Sequence, residues 1–144
     1  TDALLGEHGA IYALFDWVER ELPHLETLTD VQRIAGVVAA VLVSHARIEN
    51  EMLFPALETH LGTAGPLAVM RQEHDEIDGT LREVGSVETP DVAKERITHA
   101  LQVARDHFAK EEQVLFGMAQ QALSEQDLAQ LGVRWADTRR VAVG

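Results

Sequence analysis

The chain has 144 residues, 46% of them hydrophobic, which suits one domain with a buried core and not a disordered chain. Its formal net charge of −12 argues against nucleic acid and against an anionic membrane surface as partners. With no cysteine, disulfides, thiolate metal sites, iron–sulfur clusters and cysteine nucleophiles are excluded.

Helical periodicity marks four segments, each bounded by turn chemistry. In the first, Leu4, His8, Ile11, Phe15, Val18 and Leu22 fall at steps of four and three, and Pro23 closes it. In the second, Val31, Ile34, Val38, Val41, His45, Ile48 and Met52 do the same, with Thr29 or Asp30 as N-cap. The third carries Leu67, Met70, His74, Ile77, Leu81 and Val84; Pro66 is its first helical residue and Gly85 its stop. The fourth carries Ile97, Ala100, Ala104, His107, Glu111, Val114 and Met118, capped by Thr89 with Pro90 just inside. Ser124 caps a short fifth helix, and the tail from about Arg134 is expected to be loosely held. No segment alternates with period two. The valine-rich stretch 37–43 favours sheet by propensity, but its length and flanking periodicity argue helix. The expected fold is all-α: an up-down-up-down four-helix bundle over residues 1–122, with a short C-terminal helix and tail, 123–144, packed on the same domain. The longest apolar run, 34–43, is too short to span a bilayer, and no basic-then-apolar leader opens the chain, so a soluble, cytoplasmic protein is expected.

The stripes are not purely apolar. Each carries one histidine, His8, His45, His74 and His107, and two add a glutamate four residues on, Glu49 and Glu111. Residues i and i+4 share a helix face, so each His–Glu pair can reach one point. Buried carboxylates that face each other are costly unless a cation offsets them. The pattern is duplicated: HARIENEMLFPAL at 45–57 returns as HFAKEEQVLFGMA from 107, and EHGAI at 7–11 returns as EHDEI at 73–77. Two copies about a pseudo-twofold axis give each of two metals two imidazoles, with the two carboxylates between them. Imidazole plus carboxylate with open positions suits iron or manganese, with zinc left open. A single His-x-x-x-Glu pair is a weak motif; the conjunction of all six residues in a repeated frame carries the expectation.

These residues resemble the hemerythrin-like family, the HHE cation-binding domains, which are non-haem di-iron four-helix bundles. The resemblance covers about residues 3 to 120. It is carried by EH on the first helix, HARIENEMLFP on the second, EH on the third and HFAKEE on the fourth. It implies that His8 and His45 serve one iron and His74 and His107 the other. Glu49 and Glu111 bridge, with an oxo or hydroxo group as third bridge. One departure stands out: oxygen-carrying hemerythrins have His-x-x-x-His on the third helix, and here Met70, a soft thioether, stands four residues before His74. The chain is a four-His variant, which weakens the oxygen-carrier reading.

Tyr12, four residues after His8, is either a phenolate ligand or a core aromatic whose hydroxyl bonds Glu49 or Glu111. Its counterpart Asp78 is expected to be solvated. His24, His60 and His99 are expected at the surface or behind the ligands, and Glu51 and Glu112 in solvent. ELPH at 21–24 has a ferritin-like Glu-x-x-His spacing, but Pro23 breaks the helix that motif needs.

Ile11, Phe15, Val41, Ile48, Leu53, Ile77, Phe108 and Leu115 are expected to wall an apolar path suited to hydrogen peroxide, oxygen or nitric oxide. The family resemblance with its missing fifth histidine points to a di-iron enzyme that decomposes hydrogen peroxide in oxidative or nitrosative stress. The alternatives are reversible oxygen or iron binding or sensing, nitric oxide binding or detoxification, and a metal-free helical module. Iron–sulfur repair is disfavoured by the lack of cysteine. A monomer or weak homodimer is expected.

Overall fold

The computed structural model describes residues 1–143; Gly144, the last residue of the expected C-terminal segment, lies outside them. Every regular element among the described residues is helical. They run α1 (Asp2–Glu21), a 3₁₀ turn (Leu22–His24), α2 (Leu28–Ile48), a π turn (Glu49–Leu53), α3 (Phe54–Leu61), α4 (Pro66–Glu83), α5 (Pro90–Lys110), a second π turn (Glu111–Leu115), α6 (Phe116–Ala122) and α7 (Glu125–Arg139). Each π turn joins its flanking helices end to end, so the chain makes five rods. Contacts are densest between α4 and α5; α2 touches α1, α4 and α5, and α1 also touches α5.

Side-chain caps set three helix starts. Thr27 accepts from the Asp30 amide (3.2 Å), Thr89 from the Val92 amide (3.3 Å), and Ser124 and Asp127 form a reciprocal capping box. The cap of α2 is thus Thr27, not Thr29 or Asp30: its backbone is extended, which the residues after it are not. Gly62 and Gly65, both at positive φ, carry the chain from α3 into α4, where Pro66 occupies the first turn as expected. The α7 helix runs to Arg139 and ends on Arg140 in the left-handed region, so the first part of the expected loose tail, Arg134–Arg139, is helix, while Val141–Val143 follow exposed and without regular structure.

The π turns change which residues face inward. In each, the amide five residues on, that of Phe54 or Phe116, bonds the carbonyl of Glu49 or Glu111. The wide turn holds one residue more than an α turn and advances the buried stripe by one position. After Glu49 the core is therefore made by Leu53, Phe54 and Leu57, with Met52 only half-buried. After Glu111 it is made by Leu115, Phe116 and Ala119, while Val114, expected in the stripe, is exposed. Pro55 lacks the amide that would continue the α ladder and favours the first turn, but the second forms with Gly117 in its place.

Two apolar clusters make the core. One gathers Ile11, Phe15, Val18, Val31, Val38, Leu42, Ile77, Leu81, Ile97, Leu101 and Phe108. The other gathers Leu4, Ile48, Leu53, Phe54, Leu57, Leu67, Met70, Leu115 and Phe116. Along the four rods that carry them, the buried polar residues fall between residues of the first cluster and residues of the second. The combined α2–α3 rod, Leu28–Leu61, is long and apolar enough to cross a membrane, but its inward face carries His45 and Glu49 and packs on its neighbours.

Candidate metal centre

The only buried polar or charged residues among those described are the six the stripes single out: His8, His45, Glu49, His74, His107 and Glu111. Both glutamates are at 0% exposure and the histidines at 0–9%. His8 comes from α1, His45 from the last turn of α2, His74 from α4 and His107 from the last turn of α5. Each glutamate is the first residue of a π turn. Such turns recur at functional sites, where the widened backbone aims a side chain inward.

Ligand atoms fall into two overlapping sets, each within 4.8 Å: His8, His45, Glu49 and Glu111; and Glu49, His74, His107 and Glu111. Both glutamates belong to both sets. His8 Nε2 lies 3.2 Å from His45 Nε2, and His74 Nε2 lies 2.9 Å from His107 Nε2. His45 Nε2 contacts Glu49 Oε1 and His107 Nε2 contacts Glu111 Oε1. Across the axis, His8 Nε2 lies 3.5 Å from Glu111 Oε2 and His74 Nε2 3.4 Å from Glu49 Oε2.

Every imidazole has a hydrogen-bond acceptor behind it. His45 Nδ1 donates to Glu7 Oε2 (2.6 Å), His107 Nδ1 to Glu73 Oε2 (2.8 Å), His8 Nδ1 to Glu112 Oε1 (2.8 Å) and His74 Nδ1 to Asn50 Oδ1 (3.1 Å). A proton held on Nδ1 leaves the Nε2 lone pair of a neutral ring pointing into the centre, the tautomer a metal ligand needs. The outer partners are held in turn. Glu7 accepts from Trp135 Nε1 (2.8 Å) and from Arg139 Nε and Nη2 (2.6 and 3.0 Å), all on α7. Glu73 is paired with Lys110.

The electrostatics call for a cation. None of the four oxygens of Glu49 and Glu111 accepts a hydrogen bond from any donor other than these imidazoles. Lone pairs facing each other beside two buried carboxylates would repel. The same carboxylates raise the proton affinity of the imidazoles beside them. Burial pulls the His45 imidazole down, yet bonds to Glu49 and Glu7 and the nearby carboxylate charges outweigh it and raise it to about 9. Burial likewise opposes charging of His107, but Glu111 and Glu49 push it up to about 10. Burial would raise Glu49, but His107, His45 and His74 hold it well below the usual carboxylate range. Glu7 is drawn down to about 2 by His45, Arg139 and Trp135 against its burial, so it remains a charged acceptor. This donor set, four imidazoles with outward protons and two shared carboxylates, fits a pair of cations.

The remaining expected residues sort clearly. Tyr12 touches neither Glu49 nor Glu111: its hydroxyl donates to Glu112 Oε1 (2.9 Å). Burial, then the bond to Glu112, push the phenol up to about 12, against the pull of Arg105. Glu112 does not simply face solvent. It is a part-exposed bracket between His8 and Tyr12, because the π turn swings the residue after Glu111 back toward α1. Glu51 is exposed and pairs with Arg47; Asp78 pairs with Arg82 at 2.9 Å. His24, His60 and His99 are exposed. Met70 is buried in the second cluster. The sequence reading missed the roles of Glu7, Glu73 and Asn50. The duplicated EH dipeptides held the signal for the first two, but adjacency suggested the wrong partner, since each glutamate backs the histidine of a neighbouring rod.

A cavity of about 40 Å³ between α2, α4 and α5 reaches His45, His74 and His107, lined otherwise by Leu42, Val43, Ala46, Ile77, Asp78, Leu81 and Phe108. Of the expected walls only Ile77 and Phe108 line it; Ile11, Phe15, Ile48, Leu53 and Leu115 are buried in the two apolar clusters away from it. Val41 is half-buried on the opposite flank, in a groove with Ala10 and Arg139.

Residues 1–119 match the family model described as the hemerythrin HHE cation-binding domain. No curated protein and no solved structure matches the chain.

Proposed function

This chain belongs to the hemerythrin family of HHE cation-binding domains, and from that premise we propose that its centre holds two iron ions and decomposes hydrogen peroxide. His8 and His45 would hold one ion, His74 and His107 the other, with Glu49 and Glu111 shared and an oxo or hydroxo bridge between them. The four rods carrying these residues would run up-down-up-down. Iron bound there would supply the change of oxidation state by which one peroxide is reduced to two waters and a second is oxidised to oxygen. The protein's part is geometry and exclusion. Glu7, Glu73 and Glu112 keep protons on the outward nitrogens of His45, His107 and His8, so their inward nitrogens stay free. Phe108 and Phe54 stack on His8 and His74 (centroids 4.0 and 5.5 Å) and keep bulk water from the imidazoles.

The observation that carries this reading is the small apolar cavity that meets three of the four imidazoles. It has room for a molecule of a few atoms, and Asp78, its one charged side chain besides the imidazoles, is already paired with Arg82. Oxygen evolution on adding peroxide to iron-loaded protein, lost in His45→Ala, is the expected result. Evolution no faster than from free iron overturns it.

One feature favours a second reading, reversible binding of oxygen or nitric oxide without turnover. Apart from the imidazoles, Asp78 is the only titratable side chain lining the cavity, so proton delivery to a leaving water is thinly provided. A spectral change of the ferrous protein on adding the gas, undone by nitrogen flushing and without peroxide consumption, would select it.

A further inference from the structure

We propose that the two metal positions are inequivalent in affinity: the His8/His45 position fills first, and the His74/His107 position is the weaker one. This rests on the two-ion reading above and goes beyond it, because the ligands themselves are matched four against four.

The difference lies one layer out. The pseudo-twofold relation pairs His45 with His107, and both have a glutamate behind Nδ1, Glu7 and Glu73. It also pairs His8 with His74, and there the symmetry fails. The residue after each shared glutamate supplies the partner, and it is Glu112 for His8 but Asn50 for His74. A carboxylate can only accept, so it holds the proton on Nδ1 and makes the ring a better donor. An amide is neutral, and on flipping it offers its NH₂ instead, which favours the tautomer with hydrogen on Nε2, where no metal can bind. The His74 bond is the longest of the four, 3.1 Å against 2.6–2.8 Å. His74 is also the most exposed of the six, at 9%, where the other five are at 2% or less. Tyr12 reinforces the contrast. Its hydroxyl fixes the Glu112 carboxylate on the oxygen that His8 uses, and Asp78, its counterpart, turns instead to Arg82. The cavity reaches both imidazoles of the weaker position but only His45 of the stronger.

The test is anaerobic titration of metal-stripped protein with ferrous iron, followed by calorimetry. Two steps are expected, separated by about tenfold to a hundredfold in affinity, the usual effect of altering such outer partners. Glu112→Gln should loosen the tight step by a similar factor. Asn50→Asp should strengthen the weak step so that the two converge, a gain that damage to the fold would not produce. His74→Ala should keep the tight step and His8→Ala should lose it. Asn50 and Glu112 lie at the margin of solvent, and Glu112→Gln decides alone if Asn50→Asp does not fold. Two equal steps in the unaltered protein, or an unmoved weak step in Asn50→Asp, overturn the proposal while the two-ion centre stands. Binding of no iron overturns both.

Discussion

Glu7 adjoins His8 in the chain but serves His45: its Oε2 accepts from His45 Nδ1 at 2.6 Å, while His8 turns to Glu112. Glu73 repeats the relation, adjoining His74 and serving His107. Each EH dipeptide thus ties two rods together, one through the histidine and the other through the glutamate. The centre and the helix packing are therefore one network.

The α7 helix lies beyond the residues matched by the family model, yet Trp135 and Arg139 hold Glu7 in place. Arg139→Ala should free Glu7 and lower metal affinity by about tenfold, with Arg139→Lys restoring part of it. Metal retained against a graded chelator measures this. Unchanged retention would mean that α7 only covers the bundle.

Removing metal should lower the thermal midpoint, because the Glu49 and Glu111 carboxylates then rely on protons alone. Scanning calorimetry with and without chelator reads the difference. In the double variant Glu49→Gln and Glu111→Gln the chelator should make no difference, since neither the charge nor the ion remains.

The stripe shift at the second π turn predicts opposite outcomes for neighbours. Val114→Ala, at 55% exposure, should change stability by less than about 0.5 kcal/mol. Leu115→Ala, at 2%, should cost about 2–5 kcal/mol in denaturant unfolding. Equal costs would restore an uninterrupted α-helical stripe.

Tyr12 is the only tyrosine, so tyrosinate absorbance reports it alone. Its midpoint should lie near 12 instead of the ordinary 10.0 and fall in Glu112→Gln. The sign follows: the folded state holds the proton more tightly than the unfolded state. The resulting stability is complete below pH 10 and is lost as pH rises from 10 through about 12. A midpoint at the ordinary value in the unaltered protein would mean that the hydroxyl does not bond Glu112.

The sequence by itself determined the helices, the starts of α4, α5 and α7, and the six polar residues buried in their stripes. Helical period and capping are local, and a polar residue inside an apolar stripe is visible wherever it is buried. Thus His8, His45, His74 and His107 were legible, each flanked by core residues at steps of three and four, as were Glu49 and Glu111 one turn after a histidine. Only the tertiary structure decided what stands behind each imidazole and where the stripes shift. Which carboxylate meets which Nδ1 depends on the rotation of one rod against another. Neighbours in sequence point to different rods, so adjacency could not assign Glu7 to His45 or Glu112 to His8 and Tyr12. The π turns escaped for a related reason. No residue type encodes them, as Pro55 in one copy and Gly117 in the other show. Their common feature is a glutamate that must be aimed at the axis while Leu53–Phe54 and Leu115–Phe116 pack into the second cluster.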